Sequence, residues 1–98
     1  MIEFSCKAKP GHFTEVSELY SGFAADFLST HEALETVVVF ADEASGVVRG
    51  LGLYETREAA ESVNSDPGFA AFNDSIGPLL AEPADRREYS LLHLFSAD

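Results

Sequence analysis

Apolar and polar residues change period several times along this chain, and each change marks an element. Residues 2–9 alternate. Ile2, Phe4, Cys6 and Ala8 point one way, and Glu3, Ser5, Lys7 and Lys9 the other. This two-residue period is that of a strand with one apolar face. Pro10-Gly11 ends it. From residue 12 to 29 the spacing becomes three and four: Phe13, Val16, Tyr20, Phe23 and Phe27 share one stripe, Leu19 and Leu28 widen it, and Glu15, Glu18 and Asp26 lie largely off it. The spacing predicts an amphipathic helix of about five turns. Gly22, unfavourable within a helix, is expected to mark a close approach to the sheet. Residues 34–42 carry the run Val37-Val38-Val39-Phe40, the turn 42–46 follows, and residues 47–55 form a second strand, so the two make a hairpin. Thr56 is placed to cap a short helix over 57–63, and Asp66-Pro67 to open another carrying Phe69, Phe72 and Ile76. Gly77-Pro78 breaks that run, Leu79-Leu80 returns to the core, and residues 88–95 read as the last strand.

The order β-α-β-β-α-β is the split βαβ of ferredoxin-like α+β folds, one domain over residues 1–98. Both helices then cover one face of a four-stranded sheet. The first strand can show its Glu-Ser-Lys-Lys side to water. The second and fourth cannot: Val37 and Val39 oppose Val38 and Phe40, and Leu91, His93 and Phe95 oppose Leu92 and Leu94. Strands apolar on both faces are buried on both. The expected cover is a second copy of the chain related by two-fold symmetry, a homodimer.

Composition narrows the partners. Apolar residues make up 46% and charged residues 23% of the chain, enough apolar material for a packed core. The net charge is −11, from 17 acidic and 6 basic residues, and Arg86-Arg87 is the only adjacent basic pair. Such a surface repels phosphate backbones and anionic membranes, so neither is an expected partner. The single cysteine, Cys6, permits no intrachain disulfide. No stretch reads as a signal peptide or a membrane span, and the cytoplasm is the expected location.

Four segments are shared with a known superfamily: Lys9-Pro10-Gly11-His12 opening a long helix, Gly52-Leu53-Tyr54-Glu55-Thr56-Arg57-Glu58-Ala59, Asp66-Pro67-Gly68-Phe69-Ala70-Ala71-Phe72, and Pro78-Leu79-Leu80-Ala81-Glu82-Pro83. Through them the chain resembles the dimeric α/β-barrel superfamily, and within it the antibiotic-biosynthesis-monooxygenase-like domains. The resemblance spans nearly the whole chain and implies a ferredoxin-like sandwich paired into a dimeric barrel. It also implies a cofactor-independent monooxygenase chemistry in which the substrate itself activates oxygen. The chain departs from the pattern at Val63, where many relatives have His, and at Tyr54, where Trp is common. The Asn-Trp-His triad of the haem-degrading branch cannot be assembled, because the chain has no Trp.

The residues themselves offer little chemistry. His12 and His31 flank a helix and stand more than about 25 Å apart, so the histidines share no metal. His31-Glu32-Ala33-Leu34-Glu35 lacks the second His of a zincin motif. Gly50-x-Gly52 lies inside a strand and is no dinucleotide fingerprint. Haem, flavin and stoichiometric metal are therefore not expected. Cys6, on an apolar strand face, is read as an inert core thiol. Gly50 and Gly52 leave the sheet bare beside Tyr54, and Tyr20, Phe23 and Phe72 supply aromatic walls, so a mainly apolar ligand pocket is expected there. Tyr54 and His93 are the candidate proton-handling groups. Two functions remain open. One is a small monooxygenase-like enzyme for a flat apolar or aromatic substrate of the quinol or polyketide kind. The other is a non-catalytic dimeric ligand-binding or stress-associated domain with a vestigial pocket.

Overall fold

The computed structural model describes residues 1–27, 31–32 and 34–94. Its elements run β1 (Ile2–Lys7), α1 (Phe13–Asp26), β2 (Leu34–Asp42), β3 (Val47–Tyr54), α2 (Arg57–Asn64), α3 (Pro67–Ile76) and β4 (Asp85–Glu88), with a 3-10 turn at Gly77–Leu79. The strands form one antiparallel sheet in the order β2-β3-β1-β4. This is the ferredoxin-like α+β arrangement that the order of sequence patterns implies.

Register decides which residues share a face. One row across the helix side of the sheet is Val39, Gly50, Phe4 and Arg86; the next is Val37, Gly52, Ile2 and Glu88. Apolar β1 and β3 residues such as Cys6 and Val48 on this side are buried against Val16, Tyr20 and Ala24 of α1 and Phe69, Phe72 and Ile76 of α3. Aromatic packing ties the layers together: Phe23 stacks on Phe72 with centroids 4.2 Å apart, and Phe4 meets Phe69 edge-on at 5.3 Å. The other face carries Val38 with Leu51, and Phe40 with Arg49, at its β2-β3 half. At its β1-β4 half it carries Glu3 with Arg87 and Ser5 with Asp85.

The two caps lie where the sequence places them. The Thr56 hydroxyl accepts the Ala59 N–H at 3.1 Å, and the Asp66 carboxylate accepts the Gly68 N–H at 2.7 Å with Pro67 at the first helical position. Each satisfies an N–H that a helix start leaves open.

Three expectations are corrected. The last strand is Asp85–Glu88, ending where the apolar run 88–95 was expected to begin it. Tyr89 still exchanges backbone hydrogen bonds with Met1, at 2.8 and 3.0 Å, and residues 90–94 then run on as an exposed arm, with Leu92 94% exposed. An apolar run implies burial somewhere, but only β1's free hydrogen-bonding edge decides which residues pair with it. Gly22 approaches nothing: a Cβ there would meet open space. Leu19 is exposed, since the buried centre of α1 is the i, i+4 ladder Val16-Tyr20-Ala24 with Phe13 and Phe23 on its flanks. Leu28, Ala33 and Phe95, and with them the far ends of the expected first helix and last strand, lie outside the described residues.

Candidate functional site

A cavity of about 50 Å³ lies between the helix layer and the sheet. The sheet contributes Ile2, Phe4, Val37, Gly50, Gly52, Tyr54 and Arg86; α1 contributes Tyr20 and Phe23; α2 and α3 contribute Ala60, Val63, Asn64 and Phe69. Of the residues expected there, Tyr54, Tyr20, Phe23, Gly50 and Gly52 are brought together. Phe72 and His93 are not. Phe72 is buried behind Phe23, stacked on it, and is off the cavity wall. His93 is exposed on the arm beyond β4, because the segment that carries it leaves the sheet after the Met1–Tyr89 pair.

The glycines do not leave the sheet bare, as the sequence suggested. Tyr20 reaches across from α1, donates its hydroxyl hydrogen to the Phe4 carbonyl at 2.9 Å, and lies directly over Gly50. A Cβ at Gly50 would collide with that hydroxyl and stand 2.9 Å from the ring. Tyr54 folds back over Gly52, two residues earlier on the same face, and a Cβ there would stand 3.0 Å from its ring. Each glycine makes room for a tyrosine of this chain, and the cavity is what remains beside them. About 50 Å³ holds a few water molecules, whereas an engineered cavity that accepts benzene measures roughly 150 Å³.

More space lies next door. A polar groove of about 440 Å³ runs along Met1, Glu55, Thr56, Arg57, Glu88, Tyr89 and Ser90. Ile2, Tyr54 and Ala60 line both spaces and form the partition between them. Tyr54 is half-buried, and a turn of its side chain would join cavity to groove. The Arg57 guanidinium pairs with the Glu88 carboxylate at 3.3 Å along the groove.

Electrostatics separate the polar members. Burial pushes the Tyr20 phenol up, and its one proton is committed to the Phe4 carbonyl. Burial also pushes Tyr54 up, while the positive charge of Arg86 pulls the other way. Burial alone pushes the Cys6 thiol up to about 12, on the far side of Gly50 from Tyr54 along the sheet. The His31 ring stands edge-on to the Tyr54 ring, centroids 6.5 Å apart, so the histidine beside Tyr54 is His31 and not His93. Arg86 and Asn64 are polar cavity residues absent from the sequence candidates, and Arg86 is the charged one. Its Nη2 is buried and has no hydrogen-bond partner among the described residues. Starting the last strand at residue 88 left Arg86 outside it. The available signal was the two-residue spacing of Arg86 and Glu88 after Pro83, which puts both on one face. Among the described residues no group of three His, Cys, Asp or Glu side chains could hold a metal ion, and no helix is long and apolar enough to cross a membrane.

No family model and no curated protein matches the sequence. Solved structures do match the fold. Rv0793 from Mycobacterium tuberculosis superposes with a TM-score of 0.83 at 14% identity, over 97% of this chain and 96% of that one. SnoaB, a cofactor-independent oxygenase from Streptomyces nogalater solved as a point mutant, gives 0.80 at 10% identity over 98% and 95%. A Deinococcus radiodurans protein provisionally described as an antibiotic biosynthesis monooxygenase gives 0.78 at 14% identity, over 99% of this chain and 100% of its own. The chain therefore has the fold of the antibiotic-biosynthesis-monooxygenase-like domains that its motifs resemble.

Proposed function

We propose that the protein is a small monooxygenase-like enzyme that needs no cofactor and oxidises a flat aromatic molecule of the quinol or polyketide kind. The reading rests on one observation: an aromatic-walled cavity, partitioned from a polar groove by Tyr54, in a fold shared with a cofactor-independent oxygenase. In such a reaction the substrate supplies the electrons. A ring CH2 gives up a proton to leave a carbanion, which reduces O2. One oxygen atom stays on the carbon as a ketone, and the other leaves as water with the two hydrogens removed from that carbon. The protein holds the substrate plane, excludes bulk water and handles protons. Tyr54, movable and at the partition, is our candidate for the proton step. Tyr20, locked to the Phe4 carbonyl, shapes the wall.

The working unit of this proposal is a homodimer. Val38 and Phe40 are 50% and 44% exposed on the open sheet face, and Leu91, Leu92 and Leu94 are exposed on the adjoining arm. A second copy laid on this face would cover apolar surface that water otherwise meets.

The experiment is oxygen uptake by an anthrone, a three-ring phenol with an oxidisable central CH2, with no flavin or metal added. Uptake faster than in buffer is expected, falling on the order of a hundredfold in Tyr54→Phe if its hydroxyl moves a proton. Uptake at the buffer rate removes the enzyme reading. It leaves the second one, a ligand-binding domain without catalysis, which is favoured by the upward-shifted phenols of both cavity tyrosines.

A further inference from the structure

We propose that Arg86 is the anchor for an ionised oxygen on the ligand, so that the cavity, opened into the adjoining groove by a turn of Tyr54, takes a planar aromatic acid in preference to a neutral aromatic of the same shape. The inference rests on the reading of the cavity as a ligand site and adds the chemistry of what fills it.

Arg86 ends the row Val39-Gly50-Phe4-Arg86 on the helix side of the sheet, so its side chain stands against the cavity and not on the open face. Its Nη2 is buried with no acceptor among the described residues. The carboxylates on either side of it along β4 are engaged elsewhere: Asp85 with Arg87 at 2.7 Å, and Glu88 with Arg57 at 3.3 Å. A charged N–H group withdrawn from water without an acceptor, as Nη2 is, is costly. The cost is recovered when an anion arrives, and the planar fork of N–H donors matches a carboxylate or phenolate edge. Apart from Asn64 and the two tyrosines, the other walls are apolar, with Phe4, Phe23 and Phe69 presenting ring surface. A flat apolar body with one anionic head fits both halves of the site.

The test compares 2-naphthoate with 2-naphthamide, which share a shape and differ in charge, by calorimetry at low salt. Wild type is expected to bind naphthoate at least tenfold more tightly. In Arg86→Gln that preference disappears while naphthamide affinity stays within about threefold, and Arg86→Lys recovers part of it. A guanidinium resonance of Arg86 that moves with naphthoate and not with naphthamide reports the same contact in wild type, should a variant fail to fold. Equal affinities in wild type, or a preference for naphthoate that survives in Arg86→Gln, overturn the anchor and leave the cavity reading standing. Binding of neither probe at millimolar concentration overturns both.

Discussion

At Gly50 a missing side chain on the sheet is matched by a long one from a helix. Tyr20 crosses the interlayer space, lays its ring over the bare Cα, and delivers its hydroxyl to the Phe4 carbonyl on the neighbouring strand. An alanine there must displace a buried ring that is held by a hydrogen bond, so Gly50→Ala is expected to destabilise by about 1–3 kcal/mol, the usual cost of overpacking. Gly52→Ala presses only on Tyr54, which is half-buried and lines the edge of the groove, and is expected to cost under about 1 kcal/mol. Urea unfolding of the two variants measures the difference. Equal costs, or a larger cost at Gly52, would mean that Tyr20 is not the ring that occupies the Gly50 slot.

At the scale of the element, β2 shows how alternation divides one run between two environments. Val37 and Val39 pack toward the core, while Val38 and Phe40 are exposed on the other face. The run Val37-Val38-Val39-Phe40 is uniform in sequence and split in structure. An aspartate is costly wherever it is buried without a partner, so the two faces respond differently. Val38→Asp is expected to leave the isolated fold intact and to abolish the proposed dimer. Val39→Asp is expected to lower the stability of the chain itself. Light scattering at tens of micromolar, read beside circular dichroism, distinguishes the two. A wild-type protein of monomer mass at that concentration ends the dimer proposal. The arm after β4 belongs to the same question, because Leu91, Leu92 and Leu94 have no cover within the described chain.

For the whole molecule, three weak acids, Cys6 and Tyr20 buried and Tyr54 half-buried, make stability depend on alkaline pH. Cys6, Tyr20 and Tyr54 are all shifted upward by desolvation. A group whose folded pKa lies above its unfolded value stabilises the fold fully below the unfolded pKa. That contribution is lost as pH rises toward the folded value, because the unfolded chain releases the proton first. For Cys6 the window runs from its ordinary value of 9.0 to about 12. The tyrosines join from their ordinary 10.0 upward. Unfolding free energy is therefore expected to be level from pH 7 to about 8.5 and to fall above 9, by up to about 1.4 kcal/mol per pH unit for a fully buried group. Urea titrations at intervals up to pH 11 measure the slope, and Cys6→Ala should delay its onset by about a pH unit. A curve level through pH 11 contradicts the burial of these groups.

Elements whose period and caps are local were determined by the sequence alone. The two-residue alternation of β1, the switch to three-and-four spacing in α1, the Thr56 and Asp66 caps and the hairpin turn each depend on residues within a few positions of one another. The β-α-β-β-α-β order followed from them, and with it the fold and a cavity region holding Tyr20, Phe23, Gly50, Gly52 and Tyr54. Only the tertiary structure decided the rest, because the rest depends on pairing between distant segments. Hydrophobicity says that 89–94 must be covered, but the free edge of β1 selects Asp85–Glu88 as its partner, and that selection sends His93 to the surface and Arg86 into the cavity. A glycine in a strand promises space, but whether that space stays open depends on a helix some thirty residues earlier, and here Tyr20 fills it. The size of the cavity, the partition at Tyr54 and the unpartnered Nη2 of Arg86 are differences between large packed surfaces, which no stretch of sequence shorter than the fold can express.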